Sequence, residues 1–147
     1  VDVLHFVGHG AFDAAAGEGS ILLEDERGRP RPLAAGALRS LAAGRGLRLV
    51  VLNACESGRG GRADWTRGVA PALVAAGLQA VVANQYPVLD TAAVAFSREL
   101  YAQLARGRSV GDAAREARVA VSREHGPATL DWAVPIVFAR DPRETLR

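Results

Sequence analysis

The segment from Leu47 to Gly58, L-R-L-V-V-L-N-A-C-E-S-G, constrains the fold of this chain more than any other. It opens on an apolar run, Leu47 to Leu52, that holds two adjacent β-branched residues, Val50 and Val51. Such a run is long enough for a strand and too short for an ordinary helix. It passes through Asn53 and Ala54 to Cys55, the single cysteine of the chain, and then turns polar and glycine-rich. A thiol at the end of a buried strand, where a loop begins, stands where α/β scaffolds carry reactive groups.

The rest of the chain alternates between strand and helix patterns. Val1 to Val7 reads as a central strand ending at Gly8-His9-Gly10, where glycines on both sides of His9 permit a sharp turn. Ser20 to Glu24 and Arg29 to Leu33 form a marginal hairpin around a turn at Asp25 to Gly28, with Pro30 and Pro32 confining the second arm to an edge. Ala34 to Ala43 is a helix with Leu38 and Leu41 on one face and Gly44 at its C-cap. Glu56 to Gly68 is a long loop, Val69 to Ala76 a helix ended by Gly77, and Ala80 to Asn84 a strand. Thr91 to Arg106 is an amphipathic helix with Ala93, Phe96, Leu100 and Leu104 on one face, Asp90 or Thr91 as N-cap and Gly107 as C-cap. Ser109 and Asp112 have the spacing of a capping box and start a further helix through Val121. Trp132 to Ala139 is a last strand. Alternating strands and helices predict an α/β fold, a three-layer α/β/α sandwich around a mainly parallel sheet with the small hairpin at its margin.

The 147 residues suit a single domain, 1–147, with no internal repeat. The chain starts at Val1 directly in a strand pattern. That predicts the C-terminal portion of a longer protein, with the first strands of its sheet missing. Every basic residue is arginine, the net charge is only +2, and acidic residues interleave with the arginines. No aromatic-laced basic stripe is present, which argues against nucleic acid. No apolar run approaches the ~20 residues of a membrane span. One cysteine excludes an internal disulfide and disfavours a thiolate metal site. With no signal peptide, this points to a reducing, cytoplasmic setting.

Cys55 acquires meaning from His9. Both follow strands, so in a parallel sheet both reach the same C-terminal edge although they lie 46 positions apart. A neutral-pH thiol becomes a useful nucleophile beside a base, and histidine can also protonate a leaving amine. The backbone N–H groups of Gly10 and Cys55 are candidate oxyanion donors. Taken singly, Cys55 could be a small buried hydrophobe and His9 a turn residue; their matched placement favours chemistry. His5, inside its strand, reads as a satisfied core histidine, and His125, before Pro127, as an exposed loop residue. Three scattered histidines give no metal-ligand spacing, so no zinc site is expected. Gly8-His9-Gly10 lacks the third glycine of a dinucleotide fingerprint, since Asp13 stands there, and a phosphate-binding loop of the Walker type needs a lysine. Asp90 and Glu56 read as an N-cap and a solvated loop residue, or as pocket carboxylates that could select a basic side chain.

The pieces L-H-F-V-G-H-G around His9, V-V-L-N-A-C-E-S-G around Cys55, A-L-V-A-A-G-L-Q-A-V-V-A-N-Q-Y-P-V-L-D from Ala72, and D-W-A-V-P-I-V-F near the end together resemble a CHAT domain. That family belongs to the caspase-like cysteine peptidases, with separases and gingipains, and the order of His before Cys agrees with the caspase pattern. The resemblance implies a caspase-like fold and endopeptidase activity through a dyad of His9 and Cys55, without metal or cofactor. It also implies a protein or peptide substrate and fusion to a tetratricopeptide or other sensor region. Asn53 stands where serine is common and Tyr86 where tryptophan is common; both are placed at the substrate pocket, with Glu56 and Asp90. The alternative reading is a catalytically silent interaction module on the same fold. An amidotransferase-like thiol hydrolase ranks below both, because those enzymes place Cys before His.

Overall fold

The computed structural model describes residues 2–13, 18–43, 46–56 and 65–146. Cys55, Glu56 and residues 65–68 are described by their backbone. The described elements run β1 (Val3–Asp13), β2 (Glu18–Glu24), β3 (Pro30–Ala34), α1 (Ala35–Ala42), β4 (Leu49–Glu56), α2 (Trp65–Ala75), β5 (Ala80–Asn84), α3 (Asp90–Ala105), α4 (Val110–His125) and β6 (Pro135–Ala139). One 3-10 turn, Asp131–Ala133, precedes β6.

The strands form one six-stranded sheet in the order β3-β2-β1-β4-β5-β6. The expected parallel arrangement holds for the three central strands, β1, β4 and β5. The outer pairings, β1 with β2, β2 with β3 and β5 with β6, are antiparallel, so the sheet is mixed. Alternation along β4 explains the layers. Val50, Leu52 and Ala54 pack with Val81 and Ala83 against Leu38 of α1 and Val69 and Leu73 of α2. Leu49 and Val51 pack with Ala80 and Val82 against Phe96 and Leu100 of α3 and Val110, Ala117 and Val121 of α4. Helices therefore cover both faces. The near-continuous apolar runs of β4 and β5 follow from that, since a strand buried on both faces favours apolar residues at nearly every position.

Several elements differ in extent from the sequence reading. β1 does not turn at Gly8-His9-Gly10 but continues to Asp13. Over His9 to Asp13 it is paired with β2, and as far as Gly10 it is also paired with β4. Pairing on both sides holds the chain extended and overrides the local glycine signal. The glycine at position 8 answers a close approach instead: a Cβ there would stand 2.8 Å from the tip of the Phe6 ring. β4 likewise runs past Leu52 to Glu56, and α2 begins at Trp65, inside the segment expected to be loop. Gly44 and the remainder of that loop, 57–64, lie outside the described residues. The hairpin forms as expected: Gly28 has φ +70°, and the Asp25 carboxylate accepts from the backbone N–H groups of Arg27 and Arg29. These bonds, with the Arg29 side chain, hold the Asp25 pKa below its ordinary value.

The two long helices begin differently. Ser109 caps α4, its Oγ accepting from the N–H of Asp112 at 3.1 Å. At α3 the cap position is Leu89, which offers no side-chain acceptor, and Asp90 lies in the first helical turn. Its carboxylate interacts there with the helix dipole rather than as a cap. Ser109→Ala should therefore lower the unfolding free energy by about 1 kcal/mol. Asp90→Ala should cost well under that. Urea unfolding of the two variants side by side measures the difference, and equal losses would contradict this assignment of the caps.

Candidate functional site

The residue pairs along β1 and β4 make a ladder of rows. His5 lies opposite Val51, Val7 opposite Asn53, and His9 opposite Cys55. Neighbouring strands are about 4.8 Å apart. The two residues singled out from the sequence are thus direct register partners near the C-terminal end of β4. Positions 5, 7 and 9 belong to the face that carries α3, because the Tyr101 hydroxyl of α3 lies 2.9 Å from Nδ1 of His5. This face is open over β1: Val7 is 74% exposed, and His9 is exposed as well. An imidazole in that setting is accessible to a solute that reaches the sheet edge.

The second row is polar. Asn84, the last residue of β5, donates from Nδ2 to Oδ1 of Asn53 at 2.7 Å. Asn53 in turn donates from Nδ2 to Oγ of Ser97 in α3 at 3.5 Å. With Tyr101 beside His5 and Ser97 beside Asn53, α3 runs antiparallel to β1 and β4. A helix rises about 1.5 Å per residue and a strand about 3.3 Å. The first turns of α3, which carry Asp90 and the exposed Val94, therefore reach toward the row of His9 and Cys55. Tyr86 follows the end of β5 at the same sheet edge and is 61% exposed. Gly10 stands between Glu56 of β4 and Ile21 of β2, so its backbone lies within the ladder.

Two histidines differ from their sequence reading. His5 is not in the core. Its ring is tilted 45° against Tyr101 at the open face, and partial burial lowers its pKa. His125 is the last residue of α4, half-buried, and its Nε2 is buried without a hydrogen-bond partner. Asn84 drew no attention in the sequence; the available signal was one amide closing the otherwise apolar strand A-V-V-A-N.

A groove of about 660 Å³, lined by Leu4, Phe6, Ile21, Leu33, Leu38 and Leu41, lies on the opposite face of β1. It is apolar and has no titratable lining. Among the described residues no cluster of three or more His, Cys, Asp or Glu could hold a metal ion. No helix of the described residues is long and apolar enough to cross a membrane.

The family model of the CHAT domain matches residues 1–140. The chain belongs to the CHAT domain family. The match takes in both members of the His9–Cys55 row and all the described strands and helices. A search of curated proteins finds no match.

The His5–Tyr101 contact makes a titration prediction. Burial raises the Tyr101 pKa, and we assign the protonated hydroxyl as donor to Nδ1 of the neutral His5 imidazole. The native His5 pKa lies below the ordinary value of 6.5, so the unfolded chain takes up this proton first as pH falls. The contribution of His5 is intact above about pH 6.5 and is lost as pH falls through the native value. The slope is shallow because the ring is partly open to water. Tyr101→Phe removes a bond to the neutral form and should raise the His5 midpoint, read from its imidazole proton resonances. A midpoint that stays put or falls would contradict the proton assignment.

Proposed function

We propose that this CHAT domain is a caspase-like cysteine endopeptidase in which Cys55 is the nucleophile and His9 its acid–base partner. The single observation that carries the reading is the register: His9 and Cys55 are Cα partners on neighbouring parallel strands. Side chains on facing rows come within reach of one another, which is the first requirement of a thiol–imidazole pair. The exposure of His9 supplies the second, access for a peptide carbonyl.

The reaction follows from ordinary thiol chemistry. His9 takes the Cys55 proton, and the thiolate attacks the scissile carbonyl carbon to form a tetrahedral oxyanion. His9 then returns the proton to the departing amine, leaving an acyl-enzyme and the first product. Water, deprotonated by His9, attacks the thioester and releases the carboxylic acid with the thiol restored. The candidate oxyanion donors are the N–H groups of Gly10 and Cys55. Both belong to the last rows of the β1–β4 ladder, beside the proposed reacting pair. No step needs a metal or an organic cofactor.

Glu56, Tyr86 and Asp90 border the substrate pocket in this reading, and Asn53 forms part of its floor. The carboxylate of Asp90 favours a basic side chain beside the scissile bond. Regulation comes from a tetratricopeptide or other sensor region, fused or bound, and the setting is cytoplasmic.

A peptide-library cleavage profile tests the assignment. Cys55→Ala should abolish turnover, and His9→Ala should reduce it by about a thousand-fold or more, with the far-ultraviolet spectrum of both variants unchanged. Undiminished cleavage by Cys55→Ala eliminates the peptidase reading. No cleavage by the parent protein, with or without its sensor region, leaves the fold serving as an interaction module.

A further inference from the structure

The sheet is uneven at the edge where the proposed reaction occurs. The ladder between β4 and β5 runs from Leu49–Ala80 to Leu52–Ala83, and β5 ends one residue later at Asn84. β4 continues to Glu56, and there its pairing partner among the described residues is β1. Among the described residues, Cys55 therefore sits on a strand end paired along one side. A strand held on one edge can shift laterally or twist away, and a small displacement is enough to separate a thiol from its base.

At the point where the β5 ladder stops, a side-chain bond continues it. Asn84 donates to Asn53 at 2.7 Å, and Asn53 reaches Ser97 of α3. The buried polar residues among the described ones are Asn84, Gln103 and Ser109. Gln103 donates to Glu99 one turn back along α3, and Ser109 caps α4. Asn84, at 4% exposure, has no such helical duty. An apolar side chain would fill the same place on this strand, as Ala80 to Ala83 do. The amide adds what an apolar contact lacks, a direction and a fixed partner.

We propose that Asn84 is a positioning residue: through its bond to Asn53 it clamps the free side of β4 and keeps position 55 in register with His9. The inference rests on the reading of His9 and Cys55 as the reacting pair and deepens it. Cys55 lies one side-chain repeat beyond Asn53, so the clamp is the last restraint on the β5 side before the thiol. Asn84 itself does not touch the reacting atoms; it acts through Asn53.

Because the chain has one cysteine, alkylation reports on position 55 alone. The second-order rate of reaction with iodoacetamide, followed against pH, gives the apparent thiol pKa. In the parent protein it should lie below the value of about 8.5 for a free thiol. In Asn84→Ala it should move up by about one unit, a tenfold change in the ionisation constant. Peptide kcat should fall about tenfold while KM changes less than about twofold. Asn53→Ala should behave the same way, and the double variant should be no worse than either single, as expected for two ends of one bond. If Asn84→Ala does not fold, Asn84→Ser and Asn53→Ser take its place in the same comparison, with Tm read alongside. A folded Asn84 variant with an unchanged thiol midpoint and unchanged kcat, whatever its Tm, overturns the positioning role alone. A parent thiol that already titrates as a free one overturns the peptidase reading and this inference with it.

Discussion

The parallel pairing of β1 with β4 is the interaction on which the rest of the molecule depends. It joins the hairpin half of the sheet, β2 and β3, to the half that carries β5 and β6. It also supplies the floor for both helical layers. Leu49, Val50, Val51 and Leu52 are all essentially inaccessible, alternating between the two core clusters. Burying such side chains contributes roughly 1.5–3 kcal/mol each. The same four residues set the height of β4, and with it the row in which His9 meets Cys55.

The two layers are built unequally, and that inequality makes the site. α3 and α4 pack over β4, β5 and the underside of β6 through Phe96, Leu100, Val110 and Val121. They leave β1 open on that face, so His5, Val7 and His9 are exposed beside buried neighbours. The opening is lined on one side by α3 through Tyr101, Ser97 and Val94 and floored by the Asn53–Asn84 amides. A fully covered sheet would hide the imidazole, and a fully open one would not fix it.

Much of this was legible in the residues because local and tertiary preferences agreed. Ala80–Asn84 is a strand with the predicted bounds, since a short β-branched run between a glycine and a proline turn has no competing conformation. Ser109 caps its helix as its spacing to Asp112 predicts, and Gly28 closes the expected turn. The family motifs, read in order, gave the CHAT assignment that the family model shows. What was not legible depended on partners distant in sequence. Gly8 and Gly10 signal a turn locally, yet β2 and β4 hold them extended. The apolar neighbours of His5 suggest a core position, yet α3 and α4 leave that face of its strand largely open. The bond between Asn53 and Asn84 joins two amides 31 positions apart, and the strand register brings them together.

Position in the sheet also sets an order of assembly. β1 comes first in the chain and can pair early with β2, a neighbour a few residues away. Its other edge waits for residues 49–56, which must close a loop of some forty residues before one parallel bond can form. Residues 9 and 55 become neighbours only at that closure. A nascent or partly unfolded chain holding nothing but the local hairpin carries the histidine and the cysteine as strangers, so any property that needs both arrives with the completed topology.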